Sequence, residues 1–124
     1  LRNKINFKKI KTASQCLLFH KDFKSFSKTR TDVKNYLCDI SRVDWKLKND
    51  QAVFTITANR FLRNMVRAIV GTLIEVGKNK ISVDDFNNII IQRDRAKAGF
   101  SVPAFGLYLL NVEYSKHIFL NEKK

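Results

Sequence analysis

A chain of 124 residues that is 44% hydrophobic, with ten Phe, has enough apolar mass for one domain with a core of its own and no need of disulfides. Its 24 Lys and Arg against 11 Asp and Glu leave a net charge of +13, which points to an anionic partner, nucleic acid ahead of a membrane surface. No run reaches the roughly 18 to 20 apolar residues of a membrane-spanning helix, and the basic opening LRNKINFKKIK lacks the apolar stretch of a secretion signal, so the expected setting is cytoplasmic, with no membrane partner.

Lys8 to Phe19 place Ile10, Ala13, Ser14, Leu17 and Leu18 on one side at a helical period, with lysines opposite. HKDFKSFSKTRTDVKN breaks that period and is expected to be an irregular connection pinned by Phe23 and Phe26. YLCDISRVDW from Tyr36 to Trp45 and AVFTITA at 52–58 alternate as strands, joined through KLKNDQ with Asn49 and Asp50 as turn formers. The stretch from Asn59 to Gly77, NRFLRNMVRAIVGTLIEVG, predicts a helix capped by Asn59 and closed by Gly77. Ser82 with Asp85 resembles a capping box, and Phe86, Ile89 and Ile90 carry a further helix toward Asp94. RAKAGFSVPAFG, with Gly99, Pro103 and Gly106, is a loop, and LYLLNVEY at 107–114 is a last strand before a polar tail. The order αββααβ is that of an α+β unit, a small antiparallel sheet with helices packed on one face. Cys16 and Cys38 have neither CxxC spacing nor a companion histidine, so they predict buried, reduced thiols and no metal site, and His20 and His117 stand apart as structural or surface residues.

The helix from Asn59 raises the functional question. Phe61, Leu62, Met65, Val66, Ile69, Val70, Leu73 and Ile74 form a broad apolar band, so the helix should be embedded in a core. The remaining arc holds Arg60, Asn64, Arg67 and Gly71, with Arg63 at its edge, and Arg63 with Arg67 make an i, i+4 like-charge pair that disfavours the helix. Something anionic should lie against that arc, and two partners stay open. One is a carboxylate of this chain, Asp39, Asp94 or Glu75, or plain solvent; the other is a phosphate backbone or an active-site carboxylate from outside the chain. The planar fork of arginine suits either anion, and Gly71 would let a second backbone approach the same face. Lys24, Lys28 and Lys97 are further candidate phosphate contacts, whereas Trp45 and the phenylalanines are spaced as core rather than as base-stacking platforms. No Gly-rich phosphate loop, Ser-His-Asp set or paired carboxylates support a hydrolase or a nucleotide-dependent enzyme.

FLRNMVRAIVGTLIEVGKNKIS, followed after a helix by RDRAKAGFSVPAFGLYLLNVEY, and upstream ASQCLLFHKDFKSFSK, together resemble the C-terminal half of the tRNA pseudouridine synthase A family, from about Ala13 to Tyr114. The resemblance implies one half of a pseudouridine synthase-type core and an enzyme that converts uridine to pseudouridine in the anticodon stem-loop of tRNA. No metal or cofactor is implied, and the full-length protein would be a homodimer. The nucleophile would be an aspartate of the family's N-terminal half, in a GRTDAGVHA-like motif. Arg67 would pair with that aspartate, Leu107 would form the apolar wall of the pocket, and Arg60, Arg63 and Asn64 would contact tRNA. Arg30, Thr31 and Asp32 repeat the letters RTD, but without the preceding glycine or the following AGVHA, so Asp32 is expected in a turn or helix end and not as nucleophile. The catalytic tyrosine is also expected in the absent half, which leaves Tyr36, Tyr108 and Tyr114 as sheet residues. The start at Leu1 favours a fragment of a longer protein, inactive alone and prone to self-association through an uncovered sheet edge. The rival reading, supported by charge alone, is a non-catalytic basic RNA-binding module.

Overall fold

Asn6 opens the first helix, α1 (Phe7–Gln15), by accepting a hydrogen bond from the Lys9 amide at 3.2 Å. The structure is a computed structural model that describes residues 5–28, 33–48, 51–103, 107–112 and 115–121; for Lys48, Gln51 and the segments after 106 the backbone alone is described. Helix α1 tightens into a 3-10 turn at Cys16–Phe19 and turns Ile10, Ala13, Ser14 and Leu17 inward. The connection that follows is held as expected by Phe23 and Phe26, both fully buried.

Strands β1 (Ile40–Lys48) and β2 (Gln51–Ala58) pair antiparallel. Their two-residue alternation sends Val43 and Ile56, Trp45 and Phe54, and Leu47 and Ala52 to one face, and Arg42 and Thr57, Asp44 and Thr55, and Lys46 and Val53 to the other. Trp45 stacks on Phe54 with ring centroids 4.7 Å apart, and its Nε1 donates to Ser14 Oγ of α1 at 2.9 Å. Its role is packing, as the spacing indicated. Strand β1 begins four residues later than the alternation suggests, because the preceding segment is already engaged: the Phe23 amide donates to Tyr36 O, and the Cys38 amide to Lys21 O. Tyr36 therefore precedes the sheet rather than belonging to it. Asn49 and Asp50 lie outside the described residues, as do Asp32 and Tyr114.

The sheet has four strands in the order β1-β2-β4-β3, with β3 at Leu107–Val112 and β4 at Ser115–Asn121, all antiparallel. The expected polar tail is thus an interior strand, and the element order is αββααββ rather than αββααβ. Ile118 and Leu120 supply the alternation, but lysines and the neighbouring polar residues hide it in a short segment. The α+β class stands.

Helices α2 (Met65–Gly77) and α3 (Val83–Gln92) complete the layer with α1, which contacts the sheet through β1. Every residue of α2 is buried except Arg67 and Glu75. Helix α3 has the expected capping box, with the Asp85 amide donating to Ser82 Oγ and the Ser82 amide to Asp85 Oδ2, both at 2.9 Å. The start of α2 corrects the sequence reading, since the helix begins at Met65 and not after Asn59. The Asn59 side chain accepts from the Asp39 amide at 2.7 Å and is not free to cap. Asn64, at φ 66°, takes the left-handed conformation that asparagine tolerates and that no helix interior accepts. Arg60 and Arg63 consequently precede the helix, and the repulsive helical pair with Arg67 does not form. Cys38 is buried and Cys16 half-buried, both free, and no described helix is long and apolar enough to cross a membrane.

Candidate functional site

Arg67 lies where the segment 98–103 crosses α2, and the crossing is close. A Cβ at Gly71 would come within 1.7 Å of the Phe100 carbonyl oxygen, so the loop backbone rests on the helix at a point where only glycine leaves room. The second backbone expected at Gly71 belongs to this chain.

The loop is clipped to α2 and its flanking residues at Gly99, Ser101 and Val102. The Gly99 amide donates to Thr72 Oγ1 at 2.9 Å. Asn64 Nδ2 donates to Ser101 Oγ at 2.6 Å, and Arg95 Nη2 donates to the same hydroxyl at 3.0 Å while its Nη1 reaches Gly99 O. Val102 closes the clip in both directions: its amide donates to Arg67 O at 3.1 Å, and its carbonyl accepts from Arg67 Nε at 2.8 Å. Val102 is itself buried, so that carbonyl is a firm anchor. One edge of the half-buried Arg67 guanidinium is thereby pinned, while its two terminal amino groups have no partner among the described residues. A guanidinium held this way keeps a fork ready for one carboxylate or phosphate in a set orientation.

The carboxylates considered for the arginines are otherwise occupied. Asp39 pairs with Lys21, Asp94 Oδ1 accepts from the Ala96 amide, and Glu75 lies under Gly99. Among the described residues none of them pairs with Arg60, Arg63 or Arg67. Arg60 braces the preceding segment, with Nη1 donating to Asn35 O, Asn35 Oδ1 and Leu37 O. Arg63 is exposed and its carbonyl accepts from the Lys28 amide at 3.0 Å. The structure therefore gathers Arg67 and Asn64 around one loop and sets Arg60 apart from them. Leu107 opens β3 opposite Leu120, and its side chain lies outside the described residues, as do those of Tyr108 and His117. His20 is held by a 2.6 Å hydrogen bond with Asn87 Oδ1. Ser101, Arg95 and Thr72 were not singled out by the sequence; a hydroxyl in an apolar helix and an arginine ahead of a glycine loop were the only signals it offered.

Comparison with known proteins locates this arrangement. A family model described as tRNA pseudouridine synthase matches residues 13–115. The tRNA pseudouridine synthase A of Bacteroides fragilis is 52% identical over 120 residues, which is 96% of this chain and 48% of that protein. That of Bacteroides thetaiotaomicron is 50% identical over 123 residues, 97% of this chain and 46% of that protein, and that of Bacillus subtilis 38% over 111 residues, 90% and 45%. The chain thus spans about half the length of the curated relatives it matches. The matched stretch runs from α1 to the first residue of β4 and contains Arg67, its helix and the whole loop clip, and on that span the chain belongs to the tRNA pseudouridine synthase family.

Proposed function

We propose that this chain is the C-terminal half of a tRNA pseudouridine synthase and that Arg67 holds the nucleophilic aspartate supplied by the other half. The observation that carries the reading is the Arg67 guanidinium pinned through Nε to Val102 O, inside the stretch shared with the family. In the reaction the aspartate attacks the nucleotide, the bond from the ribose to uracil N1 breaks, and the uracil turns and rejoins through C5. The C5 hydrogen leaves as a proton, N1 gains one, and the product is an isomer of the substrate. A nucleophilic carboxylate in a semi-enclosed pocket must stay ionised, and a fixed neighbouring cation favours the charged form and orients it. The target base leaves its stack and rests on apolar surface, the part assigned to Leu107. The basic surface, with Arg63 at its exposed end, serves the tRNA backbone. Arg60 and Asn64 are assigned with it to tRNA contact, while Asn64 Nδ2 also positions the loop through Ser101. The substrate is uridine in the anticodon stem-loop, the setting is the cytoplasm, and the full-length protein acts as a homodimer without metal or cofactor.

The test compares the protein as its gene encodes it with Arg67→Lys on unmodified tRNA. Lysine keeps the charge and loses the fork. Pseudouridine formation is expected to fall by about 100-fold or more while tRNA binding holds, since misplacement of a reacting group by about 1 Å has that effect. Undiminished conversion by the variant removes Arg67 from the site. A wild-type protein that binds tRNA and forms no pseudouridine returns the chain to the rival reading of a basic RNA-binding module.

A further inference from the structure

Beside the Arg67 loop, between the 3-10 turn at Lys24–Phe26 and the C-terminal end of α3, lies a cleft of about 650 Å³ that includes Lys24, Lys28, Tyr36, Arg93, Asp94 and Arg95 in its lining. That volume is within the roughly 300–1,000 Å³ of ordinary ligand sites. Four of these side chains are cationic and one is a carboxylate, and the carboxylate is turned to the chain itself, Asp94 Oδ1 accepting from the Ala96 amide at 3.0 Å. Arg93 is steadied by Asp22 at 2.7 Å, and Lys24 Nζ stands 5.7 Å from the centre of the Tyr36 ring. The walls are firm beneath these charges. The buried Ser25 hydroxyl donates to Ile89 O at 2.6 Å and accepts from the Asp94 amide at 2.8 Å, tying the turn to the end of α3. The cleft is therefore a built concavity with a surplus of positive charge, and nothing in the proposed chemistry of the uridine uses it.

We infer that this cleft is a second RNA-binding site, which takes a phosphodiester of the strand flanking the target uridine. The inference rests on the synthase reading for the identity of the RNA. Two structural connections favour RNA over a free anion. The Lys28 amide donates to Arg63 O, so the exposed Arg63, outside the lining itself, neighbours a residue of the cleft and extends the basic lining into a short tract. Arg95 lines the cleft and also holds Gly99 O and Ser101 Oγ of the loop that anchors Arg67, so a phosphate there and the base at Arg67 sit on two sides of one small element. A strand laid along this tract would engage the cleft with its backbone and offer the flipped base to the pocket.

The experiment measures affinity of the gene-encoded protein for unmodified tRNA from about 50 to 200 mM salt, for wild type, Lys24→Gln, Lys28→Gln, the double variant and Lys80→Gln. Lys24 and Lys28 are exposed, a circular-dichroism melt of each variant checks that the fold is kept, and Lys80 is an exposed lysine outside the cleft lining that serves as the control. Each lysine that neutralises a phosphate is expected, once replaced, to flatten the plot of log affinity against log salt by roughly 0.7 to 0.9, with the double variant adding both effects and Lys80→Gln matching wild type. Slopes equal to wild type in the cleft variants, or equal flattening in the control, overturn the inference. So does binding of UMP that is lost in Lys24→Gln while the tRNA slope stays unchanged, which would assign the cleft to a free nucleotide. Pseudouridine formation by wild type, measured in parallel, separates failure of the cleft from failure of the synthase reading.

Discussion

At Gly71 a single hydrogen in place of a side chain decides whether the loop can reach the helix. The obstacle to a methyl group there is the Phe100 carbonyl, which is backbone and cannot swing aside. Gly71→Ala gains about 1 kcal/mol of helix propensity and still should lower stability by a net ~1–3 kcal/mol, the usual cost of forcing extra atoms into a packed contact. Urea unfolding reads that loss, and an unchanged midpoint would mean the loop lifts freely and the clip has little strength. Gly71 and Arg67 were legible in the sequence because each is anomalous for its place, a glycine and a charge inside an apolar helix. Asn64 was not: its helical phase matched the arginine arc, whereas its left-handed backbone and its bond to Ser101, 37 residues away, follow from tertiary packing that no local spacing records. Arg60 was misplaced for the same reason, its guanidinium being committed to Asn35 and Leu37.

Among the elements, α3 shows what local chemistry can announce. Its cap needs only two side chains three residues apart, so Ser82 and Asp85 were readable as a pair. Ser82→Ala removes the acceptor for the Asp85 amide and is expected to cost about 1 kcal/mol, seen as a melting temperature lower by roughly 2–8 °C; an unaltered melting curve would show that the end of α3 is held by packing alone. The start of α2 illustrates the opposite case. Asn59 satisfied every local requirement of a cap, and Phe61 and Leu62 continued the apolar period upstream of Met65. Asp39, 20 residues earlier, takes the Asn59 side chain and moves the start of the helix. Strand β4 was missed because lysines and polar neighbours mask the alternation of Ile118 and Leu120, and half of its support comes from the sequence-distant β2 rather than from the adjacent β3.

For the molecule as a whole, the two thiols link stability to alkaline pH. Burial pushes Cys38 above the ordinary 9.0, against the opposing charge of Arg60 and the Leu62 amide and with a small addition from Asp22. Cys16 is raised in the same way by burial, with Asp84 adding to it. The folded state therefore holds thiol protons that the unfolded chain releases from about pH 9 upward, so the stability they carry is complete below that pH and declines as pH rises toward the folded values. The informative quantity is the difference in unfolding free energy between wild type and the Cys16→Ala, Cys38→Ala double variant, in which every group common to both cancels. That difference should shrink from pH 8 to beyond pH 9, and a constant difference would show that neither thiol is coupled to folding.

The place of β4 bears on where this protein can be cut. The match to the family model ends at residue 115, and a boundary drawn there would look natural on a sequence map. It would fall through the middle of the sheet, since β4 is the only described strand joining β2 to β3. Removing it would strip the hydrogen-bonding rows from one side of each neighbour and create two raw edges, the geometry from which aggregation begins. It would also leave Leu107, whose register partner is Leu120, without the strand that places it. A boundary inferred from a family match can therefore divide a structural unit, and excision or fusion of this chain should keep the segment through Asn121.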